Sequence, residues 1–209
     1  MKPCIIQDKA IFLHIPKTGG ISIETLFGIP HKGGLNKFHT YSWRIKREVP
    51  KLWNDKFTFT IVRNPWDRIV SCFFWILKNT EYVKKSSNAN IELVHMFHRR
   101  FNNDFNTFLE FFKKYPGYTM RKNFHFQPQT NWLIDQTTGK KLDINFIGRF
   151  ENLENDVKKI CKEIDFPFTE MPHKNKSSRG NYKEYYNHKT KKIVEDIYRQ
   201  EIQLLGYKF

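Results

Sequence analysis

The sequence predicts an α/β protein in which a central parallel sheet is flanked by helices. Short, β-rich apolar runs occur at residues 10–15 (AIFLHI) and 57–62 (FTFTIV), and a helix-start signal follows each run at once. Strand–helix units repeated in this way build parallel sheets whose faces are covered by helices. Residues 144–150 (INFIGRF) are a third candidate strand. The length of 209 residues suits one domain over residues 1–209.

Further helix signals lie along the chain. After the second run, Asn64 can cap a helix and Pro65 suits its first position. Residues 151–165 and 190–205 place apolar side chains on one face at helical spacing, and Gly206 suits the end of the last helix. These signals predict one helix after the second strand, one after the third strand and one near the C-terminus.

Composition predicts a folded, positively charged protein without a disulfide framework. Aromatic residues make up 16% of the chain, and residues 91–115 are Phe-rich at helical spacing, which is typical of a core-facing helix. The 36 Lys and Arg residues against 21 Asp and Glu give a net charge of +15. Such a surface attracts polyanions, among them nucleic acid, anionic glycan and highly charged nucleotides. The three cysteines are far apart and odd in number, which disfavours a disulfide or zinc framework.

The N-terminal segment bears on the cellular compartment. Asp8 and Lys9 interrupt the stretch that would have to be apolar in a signal peptide. No apolar run reaches the length of a membrane span, so no transmembrane segment is predicted. The sequence predicts a cytoplasmic protein, and a Golgi-luminal domain trimmed of its anchor is the alternative.

The first strand–helix turn contains Pro-Lys-Thr-Gly-Gly and predicts an anion site. Its glycines permit close backbone approach, and successive amides would point into one concavity at a helix N-terminus, where an anion is favoured. The lysine adds a positive charge, and threonine and serine add hydroxyl donors. A Walker A loop carries its lysine after the glycines, so this loop is of another kind. The residues expected to line it are Lys17, Thr18, Gly19, Gly20, Ile21 and Ser22.

The second strand–helix turn carries an arginine where many nucleotide-binding proteins carry an acidic residue. Its strand ends in Arg63, whereas a P-loop kinase would offer an Asp that helps to hold magnesium. A guanidinium suits bidentate contact with phosphate. Arg63 and Ser71, two turns into the following helix, together predict a second phosphate site. The structural alternatives are an ion pair of Arg63 with Asp67 and a satisfied helix hydroxyl at Ser71.

Four stretches together resemble the carbohydrate-type sulfotransferases, most closely the branch of the heparan sulfate 2-O-sulfotransferases and their bacterial relatives. The resemblance covers the chain from about residue 10 to the C-terminus, and its two phosphate motifs are specific in combination. The stretches are HIPKTGGIS at 14–22, IVRNPWDRIVS at 61–71, FIGRFENL at 146–153 and NKSSRGNY at 175–182.

The resemblance implies a donor, a product and a fold. The donor is 3′-phosphoadenosine 5′-phosphosulfate (PAPS), the product is 3′,5′-adenosine bisphosphate (PAP), and no metal is needed. The implied fold is the P-loop-like sulfotransferase fold. Residues 17–22 would bind the 5′-phosphosulfate, and Arg63 and Ser71 the 3′-phosphate. Ser177 and Arg179 of the late loop are candidates for the 3′-phosphate or the adenosine, with a solvated loop as the alternative.

The resemblance also implies a histidine base between the two phosphate motifs, and histidine suits proton transfer near neutral pH. His39 is the predicted base. His31 is the second candidate. His14 ends the first strand and is more typical of a core histidine.

A later stretch, NFHFQPQTNWL, is similar to a family segment near the acceptor. His125 and Gln127 are the residues predicted to bind the acceptor, and Gln129 is a further polar residue there. Ordinary loop capping is the structural alternative.

The predicted activity is therefore transfer of a sulfuryl group from PAPS to an acceptor hydroxyl on a glycan, and the net charge of +15 favours an anionic glycan. One alternative is a P-loop kinase, which would need a Walker lysine and magnesium ligands that the sequence lacks. A less favoured alternative is a nucleic-acid-binding domain, argued from the charge of +15 and the interleaved aromatics. That alternative gives no reason for two anion loops at strand–helix junctions, so no nucleic-acid partner is predicted.

Overall fold

A computed structural model describes most of the chain. It covers residues 4–29, 39–78, 96–172 and 179–209, apart from the side chains of Met96 and His98. Two compact units are present: unit 1 consists of Met1–Arg63 and Gln129–Ser177, and unit 2 of Asn64–Pro128 and Ser178–Phe209. The prediction of a single domain over residues 1–209 stays a prediction.

Unit 1 contains a mixed sheet of four strands in the order β1-β2-β3-β4. The strands are β1 (Cys4–Ile6), β2 (Ala10–Phe12), β3 (Phe57–Val62) and β4 (Phe146–Arg149). As predicted, β2, β3 and β4 are parallel, but β1 pairs antiparallel with β2. The tight turn between β1 and β2 contains Gln7 and Asp8, both with positive φ, and such a turn joins antiparallel strands. The α/β class is thus confirmed, with an antiparallel strand at one edge.

The predicted strands agree with the observed ones to within a few residues. The second run, 57–62, coincides with β3, whereas β2 and β4 are shorter than the runs 10–15 and 144–150. Ladder bonding nevertheless continues beyond β2, because the Leu13 amide donates to the Phe59 carbonyl at 2.8 Å. The end of β2 therefore lies beside the middle of β3. Because the two strands are parallel, the loop that follows β2 starts on the side of the sheet where their carboxyl ends lie.

The helices are numbered in chain order across both units. They are α1 (Gly20–Leu26), α2 (Ser42–Glu48), α3 (Pro50–Asp55), α4 (Pro65–Lys78), α5 (Phe105–Lys114), α6 (Pro116–Lys122), α7 (Thr130–Leu133), α8 (Leu153–Glu163), α9 (His188–Ile197) and α10 (Arg199–Leu205). Short 3₁₀ turns occupy Phe124–Phe126, Phe150–Asn152 and Tyr182–Tyr185, and a π-helical turn occupies Met96–Arg100.

Helices cover both faces of the sheet in unit 1. On one face, Phe12 and Phe59 pack in a buried cluster with Ile160 of α8. On the other face, Ile11 packs in a second cluster with Trp53 of α3. Successive residues of a strand point to opposite faces, so the continuous apolar run of β2 serves both clusters.

The described helices of unit 2 pack around phenylalanine. The ring centroid of Phe108 in α5 lies 5.5 Å from Phe73, 5.0 Å from Phe97 and 5.6 Å from Phe112. All four side chains have no exposed surface. The described part of the Phe-rich stretch 91–115 therefore contributes to the core, as predicted.

The C-terminal helical segment is divided in two. The sequence predicts one helix over 190–205, but α9 ends at Ile197 and α10 begins at Arg199. Tyr198 lies between them, fully buried, and its hydroxyl donates to the Phe126 carbonyl. Gly206 adopts φ 65° and ends α10, as the pattern predicts.

Candidate active site

The loop between β2 and α1 has an unusual backbone conformation. Lys17 has φ 68° and Gly19 has φ 87°, both in the left-handed region. This conformation costs glycine little but is uncommon for lysine, and such outliers concentrate at functional sites. The Thr18 side chain is fully buried, and its hydroxyl donates to the Ile15 carbonyl at 2.9 Å. That proton is therefore used within the loop, whereas the sequence predicts the Thr18 hydroxyl as a donor to an anion.

Gly20, the first residue of α1, lies directly against the ring of His14. A Cβ atom at Gly20 would lie 1.9 Å from Nε2 of His14, so no side chain fits there. On its other side the ring meets α1 again, because Nδ1 of His14 is 2.6 Å from Oε1 of Glu24. Both residues are buried, with 4% and 0% of their surface exposed. A contact this short requires a proton between the two atoms.

His39 contacts His14 in two ways. The two ring centroids are 4.2 Å apart at an interplanar angle of 66°, and Nδ1 of His39 lies 3.2 Å from the carbonyl oxygen of His14. Since a carbonyl oxygen only accepts, Nδ1 must carry the proton, and Nε2 of the neutral ring is then an acceptor. This is the tautomer that a general base needs.

Arg63 joins the end of β3 to the loop after β2. Its guanidinium Nη1 donates to the Lys17 carbonyl at 3.0 Å, and its Cζ lies 3.8 Å from the ring centroid of Phe150. The residue is only 7% exposed. The two turns in which the sequence predicts anion-binding cations are therefore bonded to each other within unit 1.

A model of the sulfotransferase family matches residues 6–208 of the chain. The chain belongs to the sulfotransferase family. An uncharacterized protein of Archaeoglobus fulgidus is 30% identical over 128 residues, which are 60% of this chain and 82% of that protein. No solved structure matches the chain at a significant level. The resemblance is thus confirmed at the level of the family, and the protein is a transferase.

In this sulfotransferase, Gln129 holds the backbone of Arg63. The Arg63 amide donates to Oε1 of Gln129 at 2.8 Å, and Nε2 of Gln129 donates to the Arg63 carbonyl at 2.8 Å. The glutamine has no exposed surface. The sequence places Gln129 in an acceptor segment, but its observed amide contacts are with Arg63. We therefore expect it to set where the guanidinium points.

If Arg63 binds PAP, as we propose, replacing Gln129 with alanine should weaken PAP binding about tenfold, because two buried hydrogen bonds to the Arg63 backbone are lost. Isothermal titration calorimetry of the purified variant measures this. Asn145→Ala is the matched control, since the Asn145 side chain accepts from the Thr58 amide at the opposite end of β3. Equal PAP affinities of Q129A and the wild type would contradict the assigned role.

The sequence interpretation missed Glu24, although a signal was present. Positions 20, 23, 24 and 27 share one face of a helix, and Ile23 and Phe27 on that face are buried. An acid on an otherwise apolar face is a buried polar group that must find a partner. The partner is the neighbouring histidine, His14.

Several predicted site residues belong to unit 2 or lie outside the described residues. Ser71 is half-buried on α4 in unit 2. Arg179, also in unit 2, donates from Nη2 to Oδ1 of Asp67 at 2.5 Å. His31 and Ser177 lie outside the described residues. The binding roles predicted for Ser71 and Arg179 stay predictions.

His125 of unit 2 is packed inside that unit. Its ring lies 4.6 Å from Trp75 and 4.4 Å from Phe124, centroid to centroid, and its Nδ1 is 2.7 Å from Oδ1 of Asn123. The carbonyl of Gln127 accepts from Nη2 of the buried Arg68 at 2.7 Å. These contacts give both residues a structural role, and their acceptor-binding role stays a prediction.

The cysteine at the start of β1 is not available as a nucleophile. Burial, with the Glu24 carboxylate as a second cause, raises the pKa of the Cys4 thiol to about 12. The thiol is therefore protonated at neutral pH.

Within the described ranges, no group of three His, Cys, Asp or Glu side chains is placed to hold a metal ion. None of the helices described is long and apolar enough to cross a membrane.

Proposed function

We propose that this sulfotransferase moves a sulfuryl group from PAPS to an acceptor hydroxyl, with Lys17 and Arg63 binding the donor and His39 acting as the base. The observation that carries the proposal is the hydrogen bond from Arg63 Nη1 to the Lys17 carbonyl. This bond joins the guanidinium at the end of β3 to the backbone of the lysine loop in unit 1, which supports the proposal. The His39 ring, in the tautomer of a base, lies against the strand end that leads into the same loop.

The groups at this loop fit an anionic donor. Lys17, Arg63 and the first amides of α1 are all hydrogen-bond donors, and phosphates are acceptors only. At Gly20 there is no Cβ, and the close His14 ring shows that none could be accommodated. We propose that residues 17–22 and Arg63 bind PAPS. The parts given to Ser71, Ser177 and Arg179 are proposed from the family resemblance alone.

Each residue then has one task. When bound, PAPS supplies a sulfuryl group whose transfer leaves negative charge on an oxygen of its 5′-phosphate. Lys17 stabilises that charge as it develops, which lowers the barrier if the contact is stronger in the transition state. Nε2 of His39 accepts the proton from the attacking hydroxyl, and Nδ1–H remains on the His14 carbonyl. Arg63 contributes mainly to binding, because the 3′-phosphate that the resemblance assigns to it takes no part in the transfer.

We further propose a glycan acceptor, and an anionic one. The net charge of +15 supports this, because a positive surface raises the encounter rate with polyanions. His125 and Gln127 are proposed acceptor contacts from the resemblance. We propose that no metal is needed and that the enzyme is cytoplasmic, with a Golgi-luminal domain as the alternative.

The proposed reaction is tested with ³⁵S-labelled PAPS in the presence of a chelator. The acceptor panel contains anionic uronic-acid polymers, neutral glycans, a tyrosine peptide and a small phenol. The proposal expects label on the anionic glycan, with transfer that weakens as salt is raised. Transfer to neutral acceptors alone, insensitive to salt, would contradict the proposed acceptor. In a parallel assay with γ-labelled ATP and magnesium, transfer of the γ-phosphoryl group to an acceptor would contradict the proposed reaction.

Arg63→Ala is expected to raise the Kd for PAP by about 10- to 100-fold, because a charged hydrogen-bond partner of phosphate is removed. The Kd for AMP, which lacks the 3′-phosphate, should change much less. Arg149→Ala is the matched control, because Arg149 is exposed at the end of the neighbouring parallel strand β4. Equal losses for PAP and AMP would assign Arg63 to the 5′ side.

A further inference from the structure

We infer that Glu24 and His14 form a buried pair that positions His39 as the base, a role that rests on the proposed function. Both residues are positioning residues, since each acts through another side chain. Glu24 is fully buried, and it reaches His14 Nδ1 at 2.6 Å. His14 in turn gives His39 both a ring contact and a carbonyl acceptor.

The ring of His14 is fixed on several sides. Phe12 stacks on it with centroids 5.2 Å apart and planes 21° apart. The backbone of Gly20 closes off the Nε2 side, and Glu24 holds Nδ1. A ring fixed in this way offers His39 a rigid surface to pack against, and Glu24 is one of the groups that fix it.

The pair also affects the stability of the positive charge that His39 gains as a base. When His39 accepts a proton it becomes a cation next to the ring of His14, and a second cation there would oppose it. The Glu24 carboxylate supplies the compensating negative charge through His14. The thiol of Cys4, which approaches Glu24 from β1, adds no charge near neutral pH because it stays protonated.

A buried carboxylate in this place is hard to explain by packing. Leaving a charge or an unpaired polar group inside an apolar cluster is costly, and an apolar residue would fill the same face of α1. The neighbouring buried residues of that face, Ile23 and Phe27, are apolar. The acid therefore serves the histidine pair rather than the core of unit 1.

The test uses Glu24→Gln, which keeps the size of the side chain and removes its charge. The expected result is a fall in kcat of about 30-fold with a Kd for PAP within about threefold of the wild type. ¹⁵N spectra of the histidine rings should show that His14 loses the Nδ1 signature of a bond to a carboxylate and that the His39 ring signals shift, because the two rings are in contact. Glu24→Asp, which keeps the carboxylate, should restore much of the ring signature and part of kcat.

Asp156→Asn is the matched control. Asp156 of α8 is another buried carboxylate of unit 1, and it accepts from the Arg149 amide at 2.8 Å. Its variant should lose stability and leave both kcat and the His39 ring signature unchanged. An E24Q protein with normal kcat and an unchanged His39 signature would overturn the inference. If the wild type transferred no sulfuryl group, the proposed function would fail, while the ring spectra would still decide whether Glu24 affects the His39 ring through His14.

Discussion

Replacing Lys17 with alanine is expected to lower kcat by about 10²- to 10³-fold, with a much smaller change in the Kd for PAP. The lysine lies in the loop that receives the Arg63 guanidinium, and its charge is proposed to act on the oxygen that becomes negative during transfer. Removing a group of this kind lowers turnover more than binding, because the interaction is strongest in the transition state. Steady-state kinetics with labelled PAPS, together with calorimetry of PAP, separates the two quantities.

Two further variants make the Lys17 experiment specific. Lys9→Ala removes an equally charged residue of unit 1 that pairs with Asp165 at the surface, and it should leave kcat unchanged. Lys17→Arg keeps the charge but changes its shape, so partial activity is expected. A K17A enzyme with wild-type kcat and a raised Kd would show that Lys17 binds the donor and takes no part in the transfer step.

Replacing His39 with alanine or glutamine is expected to lower kcat by about 10²- to 10⁴-fold, the usual contribution of a general base. Binding of PAP should stay close to that of the wild type, because the donor contacts are assigned to Lys17 and Arg63. Rapid-quench single-turnover assays measure the rate of the transfer step directly. His188→Ala, at the exposed start of α9, is the matched control and should behave like the wild type.

A substantial residual rate in the His39 variants would move the role of the base. His14 lies beside His39, but Glu24 holds its Nδ1 and the Gly20 backbone closes off its Nε2, so it could take over only if its ring moved. His31 remains a candidate from the sequence. Comparing His39→Gln with the double variant that also carries His14→Gln would distinguish a shared role from a transferred one, because residues that act as a unit are not additive.

The elements that the sequence predicts well are those with local signals. The run FTFTIV coincides with β3, and the Pro65 signal coincides with the start of α4. The Asn64 side chain accepts from the Trp66 amide at 3.1 Å, in keeping with the predicted cap. Propensity, capping and φ preferences act over a few residues, so they can be read from a single chain.

The contacts that complete the site are long-range and were not predicted. Gln129 bonds to Arg63 across 66 residues, and His39 bonds to His14 across 25. No local sequence pattern predicts which strand end a distant polar side chain will contact. The break of the last helix at Tyr198 has the same origin, since the tyrosine hydroxyl is held by Phe126 at a distance in sequence. Tertiary contacts decided these features.

Metal-free calorimetric titration with PAP, ADP and ATP is the decisive experiment for the proposed donor. We predict tight binding of PAP and weak binding of ADP and ATP, because only PAP carries the 3′-phosphate assigned to Arg63. We also predict that the preference for PAP is lost in Arg63→Ala. Binding of ATP that equals or exceeds binding of PAP, and that improves with magnesium, would contradict the proposed donor and favour a kinase.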